Sequence, residues 1–155
     1  MLYLWLKFIH IVSSTILFGT GIGTACNLLC AHRTKNIQII ATTSRYVVFA
    51  DSVFTLPSGI VQPITGFWMV YLAGFPLSSF WIWGSIVGYL IAAFCWFPVV
   101  YLQIQMRNFA DHAQKTDTPL PALYYHYFRI WFWLGWPAFI SLLIVFYLMS
   151  NKPVF

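Results

Sequence analysis

Four stretches of this chain are long and apolar enough to cross a lipid bilayer, and that constrains its fold more than anything else it contains. A spanning helix needs about 20 predominantly apolar residues. The stretches run from about residue 3 to 30, 39 to 72, 80 to 106 and 123 to 149. Inside hydrocarbon every backbone N–H and C=O must be paired within the protein, so only helices or closed barrels can span. These runs are too long for barrel strands and do not alternate, which selects helices. Composition agrees: 61% of the 155 residues are hydrophobic and 7% charged, against about 25% charged in ordinary soluble domains. A soluble chain this apolar would lack the polar groups to cover its surface. The predicted fold is all-α, an integral membrane four-helix bundle forming one domain over residues 1–155. The N-terminal run is too long for a signal peptide, and its basic cluster follows the apolar stretch instead of preceding it, so it reads as a retained first span.

The charges are a topology signal. Net charge is +5 and Glu is absent. The loops after the first and third spans share a side and hold Arg33, Lys35, Arg45, Arg107 and Lys115, while the opposite side holds Lys152, with Lys7 near its edge. The positive-inside rule makes the basic loops cytoplasmic and puts both termini outside. No basic stripe with interleaved aromatics leaves the bilayer, so nucleic acid is not an expected partner. The lipid bilayer is, and a second copy or another membrane protein is a further candidate.

Two local patterns bear on packing. The second span contains PSGIVQP, with Pro57, Gly59 and Pro63; proline removes an N–H and crowds the preceding turn, which predicts a kink or break there. The first span repeats small residues at Thr15, Gly19 and Gly23, a face suited to close helix packing. Cys26, Cys30 and Cys95 fit no disulfide framework or C-x-x-C motif and read as packing residues.

The few ionisable groups inside the spans are the candidate functional residues. Asp51 lies about 18 Å along the second span, where a lone carboxylate costs about 2.5–3.5 kcal/mol and must be protonated, paired or hydrated. Arg129 enters the fourth span from the same side, so Asp51 and Arg129 are candidate partners in a structural ion pair. His10 lies about 10 Å into the first span. Such a histidine either hydrogen-bonds a neighbouring helix or serves as an axial ligand to haem or copper. Lys7 is one turn away on the same face, placed to meet a haem propionate. Met69, toward the outer end of the second span, is a candidate second axial ligand; five-coordinate haem on His10 is the alternative. His32, His112 and His126 lie at the other side, lack zinc spacing, and are expected at the interface. Three Asp and no Glu leave little for acid–base chemistry.

The opening MLYLWLKFIHIVSSTILFGTGIG, with ADSVFTLPSGIVQPITG, CWFPVVYLQIQMRNFA and FRIWFWLGWPAF further on, resembles a bacterial family of four-span inner-membrane proteins classed as a domain of unknown function. That likeness covers nearly the whole chain, and the family is in turn distantly similar to HemJ-type protoporphyrinogen IX oxidases and CopD-type membrane proteins. The carriers of that second likeness are Tyr3, Leu4, Trp5, Lys7 and His10 at the start, and Phe128, Arg129, Pro137, Lys152 and Pro153 toward the end. It implies a bacterial inner-membrane location and haem b held by His10. HemJ-type chains place Asn-Glu between the Arg and the Pro, and Lys and His in the third span; neither is present here. The resemblance therefore implies the scaffold and the His10 site more than the oxidase activity. Three expectations follow: a haem-binding membrane protein, a non-catalytic partner or assembly subunit of a membrane complex, or a copper-handling membrane protein.

Overall fold

The computed structural model describes residues 1–152 and is helical nearly throughout. Pro153, part of the HemJ-like ending, lies outside the described residues. The helices are α1 (Leu2–Thr34), α2 (Ile37–Ala50), α3 (Leu56–Ala73), α4 (Phe80–Thr116) and α5 (Ala122–Asn151). A π-helical segment, Asp51–Thr55, joins α2 to α3, so these form one continuous second span. Four spans are long and apolar enough to cross a membrane, and among the described residues there is no strand.

The spans close into a ring. The first packs along the second, α2 packs on α4, and α4 packs on α5. Stacked Phe18–Phe139 and edge-on Phe18–Phe146 rings return α5 to α1. The outer surface carries large apolar side chains along every span, among them Phe8, Ile64, Phe94 and Ile144. A soluble monomer rarely shows such an expanse, and lipid is the solvent it suits.

Sequence signals set the ends. The Asn36 side chain accepts from the amides of Gln38 and Ile39 at 2.9 and 3.2 Å, capping α2 where its first N–H groups lack partners. Gly74, at φ 66°, ends α3 in the left-handed conformation that glycine adopts without strain. The helix of the third span runs to Thr116, well past its predicted end near Met106, through residues expected to form a loop. Those turns stay helical because Ala110 and Ala113 are buried. They also carry Asp111, whose Oδ1 lies 2.8 Å from Nε of Arg45 on α2.

PSGIVQP does not break the second span. The irregularity lies just ahead of Pro57, where the Leu56 amide reaches back five residues to the Asp51 carbonyl. Pro63 sits inside a continuous α3. Its missing N–H would have paired with the carbonyl of Gly59, four residues earlier. That carbonyl accepts instead from the hydroxyl of Tyr89 on α4.

The expected packing role of Thr15, Gly19 and Gly23 is not realised within the chain. A Cβ added at Gly19 or Gly23 would meet nothing within 4 Å, so this face of α1 points away from the bundle. Close approach occurs instead at Gly84 and Gly88 of α4, one turn apart. A Cβ at Gly84 would lie 2.6 Å from Leu148 Cδ1, and one at Gly88 2.7 Å from Val145 Cγ2. The α4–α5 contact thus uses the small-xxx-small geometry.

The interior is layered. A large apolar cluster, including Leu28, Ile40, Val47, Leu102, Met106 and Tyr124, fills the end near the α1–α2 turn. A small one, built on Trp81, Ile82 and Leu148, closes the other end. Between them the second span turns polar side chains inward.

Candidate functional site

Asp51, Thr55, Ser58, Gln62 and Thr65 are all buried. Their spacing of four, three, four and three residues keeps them on one face of a helix. In lipid that face must point inward, because every unpaired polar group in hydrocarbon is costly. The second span therefore lays a polar seam along the bundle's interior, and the other helices answer it with Ser13, His10, Tyr89 and Gln103.

Near the N-terminal end of α1, α1 meets α3 around His10. The His10 ring lies against the backbone of α3, where a Cβ at Gly66 would come within 3.4 Å of His10 Cε1. The His10 Nδ1 is 2.7 Å from the Thr65 hydroxyl oxygen. That hydroxyl donates its single proton to the Val61 carbonyl at 2.7 Å. The remaining contact must then run from ring to hydroxyl, with Nδ1–H donating to Thr65. That arrangement is the Nδ1–H tautomer of the neutral imidazole, and the ring is also within hydrogen-bond reach of the Gln62 backbone carbonyl. Gln62 completes the support: its side-chain amide donates to the His10 carbonyl at 2.8 Å and to the Ser13 hydroxyl. Ser13 in turn donates to the same His10 carbonyl at 3.2 Å. Every polar side chain around His10 is thus tied to another, which fixes the ring's position and face.

Deeper in the seam, Asp51 is 5% exposed and begins the π-helical turn. Its Oδ1 accepts from the Thr55 hydroxyl at 2.8 Å, and the Gln103 side chain on α4 reaches the same carboxyl. The predicted Asp51–Arg129 pair is not formed. Arg129 is exposed on α5 and faces away from the seam. Among the described residues the ion pair is Arg45–Asp111, outside the seam, with Arg45 also donating to Gln114 at 2.8 Å. The reason is local: Thr55 lies one turn from Asp51 and Gln103 faces it, so neutral donors satisfy the carboxyl where a cation was expected.

The other sequence candidates scatter. Lys7 is exposed one turn before His10 on α1. Because α1 and α3 run antiparallel with His10 opposite Thr65, half-buried Met69 falls near the level of Lys7, about one turn from His10. His32 stacks on Phe128 at the opposite end of α1, and His112 and His126 are exposed. Among the described residues no group of three or more His, Cys, Asp or Glu is placed to hold a metal ion.

His10 and Asp51 stand out in the sequence; their partners do not. Ser13, Gln62 and Thr65 look unremarkable singly. Their signal is a polar stripe at helical period inside an apolar run, the inverse of the usual amphipathic pattern.

Fold and seam together define an integral membrane protein with four apolar spans around a polar interior line. The chain belongs to the family described as predicted integral membrane protein (DUF2269), which it matches over residues 4–153. No curated protein and no solved structure matches it.

Proposed function

We propose that this protein binds haem b through Nε2 of His10, in a HemJ-like scaffold of the bacterial inner membrane. The observation that carries the reading is the hydrogen bond from His10 Nδ1 to Thr65. Histidines that ligate a metal commonly donate their other ring N–H to a protein acceptor, which fixes the tautomer and orients the ring. Thr65 fills that role, and Gly66 leaves space for the ring beside α3. Haem held by one histidine supplies one-electron or ligand-binding chemistry. Exposed Lys7, one turn outward, is the counter-ion for a propionate, and with Met69 on Lys7's level the iron takes His10 as its protein ligand. In this reading the basic loops face the cytoplasm.

The test is an absorption spectrum of the protein purified from haem-replete cells. A Soret band is expected, lost in His10→Ala and shifted or weakened in Thr65→Val. A colourless preparation, or a band unchanged in His10→Ala, overturns the assignment.

A second reading is a non-catalytic subunit of a membrane complex. It is favoured by the open Thr15–Gly19–Gly23 face, which no helix of this chain covers. Stable co-purification with another membrane protein, without cofactor and lost in Gly19→Leu, would select it.

A further inference from the structure

At the opposite end of the bundle, where α1 turns into α2, a cavity of about 290 Å³ is lined by His32, Arg33, Lys35, Ile40 and Tyr125. We propose that this cleft binds a net-anionic phosphoryl group, one whose charge no headgroup amine balances.

The argument begins with charge. Arg33 and Lys35 are exposed, and no acid among the described residues pairs with either. The turn geometry keeps both at one mouth: α1 ends at Thr34, and Lys35 takes the left-handed conformation, φ 56°. The wall carries a third unpartnered group. The His32 ring is stacked on Phe128, with centroids 3.7 Å apart and planes within 10°, which holds the imidazole in one orientation. Its Nδ1 is buried without a hydrogen bond, as is the hydroxyl of the neighbouring, fully buried Tyr124. A buried polar atom left unpaired is costly and calls for a partner. The Tyr125 ring edges onto His32 at 5.8 Å and completes the lining.

A guanidinium, an ammonium, an imidazole and a phenol line this one cavity. A tetrahedral phosphoryl group offers oxygens to several donors at once, whereas a planar carboxylate offers two in one plane. The volume lies at the small end for ligand sites. It admits a phosphoryl end and leaves the rest of the molecule outside. The cleft also sits where the first apolar span gives way to its basic turn, the level of lipid headgroups, and basic pockets between spans commonly take anionic headgroups there. An anionic phospholipid or a soluble phosphate ester supplies the same chemistry.

The experiment measures binding to the full-length protein in neutral detergent, with phosphatidylglycerol, phosphatidylcholine and glycerol phosphate as separate probes. Each basic residue near the surface is worth about fivefold in affinity, so the Arg33→Gln/Lys35→Gln double variant should bind about thirtyfold more weakly. Arg107→Gln removes a cation from the same end of the bundle but outside the cleft, and should change little. Preference for phosphatidylglycerol over phosphatidylcholine, lost in the double variant, establishes a lipid headgroup. Saturable glycerol phosphate binding, lost the same way, establishes a soluble ester. The proposal fails if neither probe binds more tightly than phosphatidylcholine, or if Arg107→Gln weakens binding as much as the double variant does. Circular dichroism of the exposed-site variants confirms that the fold is retained.

Discussion

The hydroxyl of Tyr89 on α4 donates to the carbonyl of Gly59, the group that Pro63 deprives of its amide partner. One helix thus repairs the hydrogen-bond ladder of another. A carbonyl left bare in hydrocarbon has no water to turn to. Tyr89→Phe should therefore lower stability by about 1–2 kcal/mol. The same change should cost almost nothing in a Pro63→Ala background, where residue 63 again offers an N–H to Gly59. Unfolding of the four proteins of this cycle in mixed micelles gives the coupling directly. An equal cost of Tyr89→Phe in both backgrounds would contradict the repair.

The His10–Thr65 contact predicts a tautomer. With the Thr65 proton committed to the Val61 carbonyl, the imidazole carries its hydrogen on Nδ1. Nitrogen NMR of histidine-labelled protein should report that form for His10. Thr65→Val keeps the shape and removes the acceptor, so the preference should disappear, with a stability loss of about 1 kcal/mol. A dominant Nε2–H tautomer in the unchanged protein would refute the assignment and remove the ground for His10 as a ligand.

How much of this was open to a sequence reader divides along physical lines. The spans were legible because hydrophobic length is a one-dimensional property. The positions of His10 and Asp51 were legible because ionisable residues stand out in apolar runs. The partners were not. Charge and depth match Asp51 to Arg129, but depth says nothing of which way a side chain points round its helix, and Arg129 points out. Gly19 and Gly23 were marked for packing by spacing alone, while Gly84 and Gly88, with the same spacing, are the pair that α5 covers. Tyr89 could not be tied to Pro63 without knowing that α4 passes the second span at that level.

Satisfaction of Asp51 by neutral donors has its own consequence. Thr55→Val removes the 2.8 Å hydrogen bond to Oδ1 and should cost about 1–3 kcal/mol, with Gln103→Leu in the same range. Arg129→Gln should stay within about 0.5 kcal/mol, as an exposed substitution that breaks no contact. The charge-swapped double, Asp51→Arg with Arg129→Asp, should recover nothing beyond the sum of its parts. Thermal unfolding of these variants in one detergent provides the comparison, and partial recovery in the swap would reinstate the ion pair.

The two glycine faces make opposite predictions for one chemical change. At Gly88 an added Cβ lies 2.7 Å from Val145 Cγ2 and 3.3 Å from the Ser141 carbonyl oxygen. The side chain can rotate away; the backbone oxygen cannot without moving α5. Gly88→Ala should therefore destabilise the bundle by about 1–3 kcal/mol, the usual cost of overpacking. Pairing it with Val145→Ala should recover the part due to the side chain and leave the part due to the carbonyl. Gly19→Ala adds the same methyl where nothing lies within 4 Å, so its effect on the monomer should stay within about 0.5 kcal/mol. Unfolding measured at detergent-to-protein ratios high enough to keep the chain monomeric separates this from any effect on association. Comparable losses at the two positions would mean that α1 packs through its glycines after all, and that the ring of helices closes differently from the one described.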